Sequence, residues 1–259
     1  MCRWMAYKGV SIYLEDWLLN SDHSLIEQSR SADLTKYTVN GDGFGIGWYG
    51  NKPEPGLFKS VRPAWNNSNL QSLAAHVASP LFLAHIRAAT GTPIQETNSH
   101  PFQYNNWLLV HNGLIKNFKL LKKALMETID EKYFQQILGS TDSEIIFYML
   151  LTNGLDQDVS LAVNKTVDII EAKAEKLQIK NVLNMTLGIS NGDSIWAVRY
   201  STAQKSSTLF YSCAEVEKGC HLLVVSEPLE HGTLDWQTIE ENSILHFDEN
   251  NQKTVTTIK

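Results

Sequence analysis

A cysteine stands at position 2, directly after the first methionine of the chain. Removal of Met1 would give this one residue both a thiol and a free α-amine. The thiolate is the reactive form of cysteine, and an α-amine with an ordinary pKa of about 7.7 to 8.0 is partly neutral near pH 7, so it can take the thiol proton directly or through one water. A second-position cysteine alone is common, and its context must carry the weight. That context is a polar stretch over residues 83–117, LAHIRAATGTPIQETNSHPFQYNNWLLVHNGLIKN. Arg87 closes an apolar run and would stand at the rim of a sheet. There its guanidinium could hold a carboxylate through two parallel hydrogen bonds, or pair structurally with Glu96 or Asp42. Asn112-Gly113 in isolation reads as a turn dipeptide. Among its polar neighbours, a backbone N–H beside a side-chain amide also fits an oxyanion hole for acyl transfer. Asp142 begins a helical pattern, where a carboxylate serves helix initiation or binds an ammonium group. His85, His100 and His111 are spaced by 15 and 11 residues, which matches no local ligand motif, and no metal is expected.

These residues must be positioned by the elements around them. Apolar runs rich in aromatic and β-branched residues predict strands at Trp4–Val10, Phe44–Tyr49, Leu81–Ile86, Trp107–Val110, Val182–Ile189, Ile195–Tyr200, Leu209–Tyr211, His221–Val225 and Ile244–Phe247. Helical spacing appears at Asn117–Glu127, Asp142–Leu151 and Val159–Leu177. Strands dominate both ends and helices the middle, which predicts a layered α+β fold rather than alternating α/β. Ser140 or Thr141 can cap the helix at Asp142, with Glu144 completing a capping box. GDGFGIGWYG, over residues 41–50, lacks the following helix of a nucleotide loop and reads as a bend with close backbone approach.

The chain has 259 residues, 43% of them hydrophobic, and a formal charge of −6. No linker or repeat divides it, so a single domain over residues 1–259 is expected. The negative balance argues against nucleic-acid binding. The N-terminus lacks the basic and unbroken apolar regions of a secretory signal, and no run reaches a membrane span, so a cytoplasmic location away from membranes is expected. Cys213 and Cys220 are read as ordinary thiols, since two such cysteines form neither a zinc knuckle nor a disulfide framework.

Together these residues resemble class II glutamine amidotransferases, N-terminal-nucleophile hydrolases of four-layer αββα architecture. Met1-Cys2, AHIRAATG, NSHPF, VHNGLIKN and STDSE occur in family order over roughly the first 150 residues, and NMTLGISNGDSIWAVRY resembles later core strands. MCRWMAYKG, VNGDGFGIGWY, PAWNNSNL and SEPL resemble the short stand-alone subgroup that includes ergothioneine-pathway γ-glutamyl hydrolases and the fungal glutathione-degrading amidotransferase subunit. The resemblance implies that Cys2 is the nucleophile with its α-amine as base, and that Asn112 and Gly113 form the oxyanion hole. It further implies that Arg87 binds the α-carboxylate of a γ-glutamyl group and Asp142 its α-amine, while Thr90 and His100 line or support the pocket. No cofactor is implied. The chain departs from the family where an Arg-Gly pair is usual and Val39-Asn40 stand instead. Trp48, Tyr49 and Trp65 either shape the acceptor side for an amine larger than ammonia or belong to the core. The implied activity is hydrolysis of a γ-glutamyl amide of a small molecule through a Cys2 thioester. The alternatives are a glutaminase subunit acting with a separate protein partner, and a degenerate γ-glutamyl-binding module; a homo-oligomer is also compatible.

Overall fold

Alternation of side chains along each strand sorts the apolar residues into three layers of core. The computed structural model describes residues 2–30, 40–89, 91–216, 219–229 and 234–259, with only the backbone described at 215, 216, 219 and 220. In chain order the strands are β1 (Arg3–Tyr13), β2 (Phe44–Trp48), β3 (Gly56–Ser60), β4 (Ala78–Ile86), β5 (Phe102–Tyr104), β6 (Trp107–Ile115), β7 (Leu183–Ser190), β8 (Ile195–Ser201), β9 (Phe210–Val216), β10 (Gly219–Val225), β11 (Gln237–Thr238), β12 (Ser243–Phe247) and β13 (Lys253–Thr257). The helices are α1 (Glu15–Leu18), α2 (Leu25–Arg30), α3 (Ser68–His76), α4 (Phe118–Met126), α5 (Glu131–Phe134), α6 (Asp142–Thr152) and α7 (Val159–Glu175). One sheet has the order β11-β9-β10-β1-β4-β2-β3 and the other β13-β12-β8-β7-β6-β5, with antiparallel pairing throughout.

Trp4 and Ala6 of β1, Leu81 and Leu83 of β4, and Leu108 and Val110 of β6 meet between the sheets. The alternate residues Met5, Tyr7, Phe82 and Ala84 face a second core with α1, α2 and α3. Leu109 of β6 and Leu187 of β7 face the third, with α4, α6 and α7. A strand buried on both faces cannot alternate apolar with polar, which is why β1 and β4 read as continuous apolar runs. The result is the four-layer αββα sandwich expected of the α+β class. Close approach of the sheets explains two glycines of β2: a Cβ on Gly45 would lie 2.2 Å from the His100 carbonyl oxygen, and one on Gly47 2.7 Å from Leu108. The glycine-rich segment is thus largely a strand pressed against the second sheet rather than a bend.

Apart from α3, nine residues long with Leu70 and Ala74 buried, the elements that local periodicity does not predict are short or poorly buried. β13 is exposed along its length and is held by pairing with β12; β3 and β5 are similarly brief, as are α1, α2 and α5. The cap of α6 is Thr141, whose Oγ1 accepts from the Glu144 N–H at 3.2 Å. Glu144 does not reach back to the cap; its carboxylate accepts from the N–H groups of Leu138 and Gly139. The reading of Cys213 as an ordinary thiol is corrected: it is disulfide-bonded. The β9–β10 register sets Cys213 opposite Leu222; the side chain of Cys220, read with it as an ordinary thiol, lies outside the described residues.

Candidate active site

Cys2 precedes β1, at the end of a strand flanked by β10 and β4. Its Sγ receives the backbone N–H of Ala88 at 3.4 Å and lies 3.6 Å from the Ala88 carbonyl oxygen. Burial pushes the thiol pKa above its ordinary value; the Ala88 backbone, the amino terminus and Arg87 act in the opposite direction, while Asp142 adds to the rise. The residues that hold the Ala88 segment are themselves fixed by Asp42, whose Oδ2 accepts the Ala89 N–H at 2.7 Å and whose own N–H donates to the Arg87 carbonyl. The sequence offers Asp42 only as a partner for the Arg87 guanidinium. In the structure that guanidinium reaches the Asp42 backbone oxygen at 3.5 Å, Thr92 Oγ1 at 2.8 Å and the Pro93 carbonyl at 3.0 Å. None of these partners is a carboxylate, so its charge remains available to a ligand.

Asn112-Gly113 is not a turn. β6 continues to Ile115, pairing Asn112 with Thr186 and Gly113 with Met185 of β7. Successive N–H groups of a strand point to opposite edges. The Lys116 N–H faces the β7 side and donates to Val182 at 2.7 Å, so the N–H groups of Gly113 and Ile115 point to the other edge. β5 pairs only with residues 107–109 of β6, which leaves that edge open. Ile115 uses its N–H to bind Asp142 Oδ2 at 2.8 Å; the Gly113 N–H is directed the same way, and Gly113 itself is exposed. Glycine is required there, with φ at +154° and a hypothetical Cβ only 2.0 Å from the Asn184 carbonyl oxygen. Asn112 is buried and shares the inter-sheet face with Val110, by strand alternation.

Asp142 enters at the first turn of α6 and fastens that helix to β6. Its Oδ1 accepts from the Ser143 N–H at 2.9 Å and its Oδ2 from Ile115. A carboxylate oxygen has two acceptor sites, so capacity for an ammonium group remains. Ser143 Oγ contacts His111 Nδ1 at 2.8 Å. The three histidines, distant in sequence, gather beneath the site: the His85 and His100 rings lie 4.0 Å apart, and those of His100 and His111 6.4 Å. Burial pushes all three pKa values down, that of His85 to about 3. Among the described residues no group of three His, Cys, Asp or Glu is arranged to hold a metal ion.

Cys2, Arg87, His100, Gly113 and Asp142 line one cavity of about 480 Å³. Asn112 is not in its wall, and Thr90 lies outside the described residues. Of the two readings of Trp48, Tyr49 and Trp65, the structure gives the core. Trp48 and Trp65 pack against the core under α1, α2 and α3, and Tyr49 belongs to the inter-sheet core, with its hydroxyl bound to the carbonyls of Asn106 and Ser190. The cavity is instead lined by the end of β6, the start of α4 and the residues between them, including Leu114, Lys116, Phe118 and Lys119. Their sequence, LIKNFK, continued the VHNG motif and was the available signal. Of the Val39-Asn40 pair, Val39 lies outside the described residues. Asn40 is buried, and its backbone N–H donates to Ser29 at 2.7 Å.

This fold and this cavity define an N-terminal-nucleophile-type amidohydrolase scaffold. The chain belongs to the class II glutamine amidotransferases, whose family model matches residues 27–212. It is 35% identical to the probable glutamine amidotransferase DUG3 of Saccharomyces cerevisiae, over 95% of this chain and 81% of that protein. It is 31% identical to the gamma-glutamyl-hercynylcysteine sulfoxide hydrolase of Mycolicibacterium smegmatis over 60% of this chain and 65% of that one. A solved class II glutamine aminotransferase domain protein from Silicibacter pomeroyi superposes with a TM-score of 0.77 at 28% identity, covering both chains completely. The chain is therefore an enzyme of the amide hydrolase and amidotransferase class. No described helix is long and apolar enough to cross a membrane.

Proposed function

We propose that the chain is a cytoplasmic, single-domain hydrolase of γ-glutamyl amides that works through a Cys2 thioester. The observation that carries this reading is the shared cavity: the Cys2 thiol, the Gly113 edge of β6, the Arg87 guanidinium and the Asp142 carboxylate all line it. Arg87 holds the α-carboxylate of the substrate and Asp142 its α-ammonium. After loss of Met1, the α-amine of Cys2 takes the thiol proton as Sγ bonds to the γ-carbonyl carbon. The resulting oxyanion is held by the Gly113 N–H, and Asn112, behind the cavity wall, is assigned to it through its motif. Collapse of this intermediate breaks the C–N bond, and the α-ammonium returns its proton to the departing amine. Water then attacks the thioester, giving its proton to the α-amine; glutamate leaves and the thiol is restored. His100 supports the wall from below, and Thr90 is assigned to the pocket through its motif.

The cavity volume falls within the roughly 300 to 1,000 Å³ of small-molecule sites, which favours a leaving amine larger than ammonia. Leu114 and Phe118 offer apolar surface for it, and Lys116 and Lys119 favour an anionic group. The name of the mycobacterial relative describes hydrolysis of a γ-glutamyl compound, in keeping with this choice.

The test uses purified, Met1-processed protein, verified by intact mass, against glutamine, γ-glutamyl dipeptides and N-acetylglutamine. The expected order of kcat/KM is γ-glutamyl dipeptide above glutamine, with N-acetylglutamine refused and Cys2→Ala inactive. Full activity in protein retaining Met1, or in Cys2→Ala, would overturn the mechanism. Preference for free glutamine would instead favour the partner-dependent glutaminase, and binding without turnover the degenerate module.

A further inference from the structure

The nucleophile proposed above is a terminal residue with only one covalent link to the fold, and chain ends fray unless tied down. The structure ties it from behind. Arg3, the next residue, shares the helix-facing side of β1 with Met5 and Tyr7 by strand alternation, opposite the face of Trp4. Its side chain is 2% exposed and forms an ion pair with Glu227, which is equally buried. Arg3 Nη1 also donates to the Cys2 carbonyl oxygen at 3.0 Å. Glu227 is anchored in turn. Its backbone oxygen accepts from Gln28 Nε2 of α2 at 3.3 Å, and its carboxylate lies 3.7 Å from His23 Nε2. Its neighbour Ser226 exchanges hydrogen bonds with Trp4, the Trp4 N–H donating to Ser226 Oγ and the Ser226 N–H to the Trp4 carbonyl. Neither Arg3 nor Glu227 lines the cavity.

We infer that Arg3, held by Glu227, is the positioning residue that fixes the Cys2 backbone and so aims the nucleophile. The inference rests on the proposed role of Cys2. A buried ion pair is a poor source of stability, because apolar side chains of similar volume commonly do as well. What apolar side chains could not do is donate to the Cys2 carbonyl. Arginine suits the task because its planar fork can hold a carboxylate with one edge and a carbonyl with the other, whereas lysine is a single point donor. The pair also joins the two ends of the sequence, being 224 residues apart, so the SEP segment after β10 acts at the N-terminal nucleophile.

The test compares wild type with Arg3→Lys, Glu227→Gln and the double variant, all in Met1-processed protein. Rates are expressed per Cys2 thiol titratable in folded protein, so that poor folding does not masquerade as slow chemistry. Misplacement by about 1 Å can cost roughly 10²-fold; each single variant should therefore lose about 10- to 10²-fold in kcat while KM stays within about threefold. The double variant should be no slower than the worse single one, since both changes cut the same restraint. Mass-resolved alkylation of Cys2 by iodoacetamide should slow by at least about threefold without any substrate, because the misplaced thiol loses the Ala88 N–H that stabilises its thiolate. Per-thiol kcat and alkylation within about twofold of wild type, or KM rising as far as kcat falls, would overturn the assignment. If wild type cleaves no γ-glutamyl amide, the functional reading fails, and the alkylation rates still decide the role of Arg3.

Discussion

Replacing Gly113 by alanine is the sharpest test of the oxyanion assignment. A Cβ built there lies 2.0 Å from the Asn184 carbonyl oxygen and 2.7 Å from His111 Nε2. Carbon and carbonyl oxygen ordinarily approach to about 3.3 Å, so β6 and β7 must separate locally by about 1.3 Å. The backbone is also at φ +154°, which alanine adopts only with strain. Such a shift moves the Gly113 N–H from the place where the oxyanion develops. Loss of one oxyanion donor costs about 10²- to 10³-fold in kcat, and a 1 Å misplacement about 10²-fold. Gly113→Ala should therefore lower kcat about 10²- to 10³-fold, with little change in KM because Arg87 and Asp142 retain their places. Overpacking of the ladder should destabilise the fold by about 1 to 3 kcal/mol. Steady-state kinetics, normalised to titratable Cys2 and paired with thermal melts, read both effects. A folded Gly113→Ala protein with kcat within about threefold of wild type would refute the assignment of this N–H.

Asn112→Ala should lower kcat by about 10²- to 10³-fold with a smaller effect on KM; substrate kinetics showing weakened binding at unchanged kcat would remove Asn112 from the oxyanion hole. Arg87→Lys should chiefly raise KM, by about 10-fold or more, because a single ammonium cannot reproduce the bidentate grip on a carboxylate, and initial rates over a wide glutamyl-substrate range measure this. Acid should destabilise the fold through His85, His100 and His111, whose pKa values burial lowers. Below about pH 6.5 the unfolded histidines bind protons that the native ones refuse, so stability is full above that pH and is lost as pH falls. The loss is about 1.4 kcal/mol for His85 alone between about pH 7.5 and 5.5, and His100 and His111 add to it in the same direction. Denaturant titrations at the two pH values should show this drop, and equal stability would contradict the neutral, buried state of the cluster.

Much of the site was legible because its chemistry depends on residue type and local pattern. The thiol at position 2, the arginine closing an apolar strand and the aspartate opening a helix can each be read from a few neighbours. The β1, β4 and β6 runs and the α6 cap signal follow from periodicities of the same short range, and together they define the layered α+β class. Direction and pairing are different. Whether the Gly113 N–H faces β7 or the cavity is settled by the register of β6 on β7, and an Asn-Gly dipeptide alone favours a turn. The aromatic residues Trp48, Tyr49 and Trp65 carry no mark that separates a pocket wall from a core, and the tertiary packing puts them in the core. His85, His100 and His111 meet only because the two sheets stack, and Arg3 meets Glu227 only because β10 returns beside β1. Sequence by itself determined the reactive groups and the elements that carry them, since these follow from covalent chemistry and local periodicity. The tertiary structure decided which groups face one another, because strand register and sheet stacking are set by the burial of apolar faces across the whole chain.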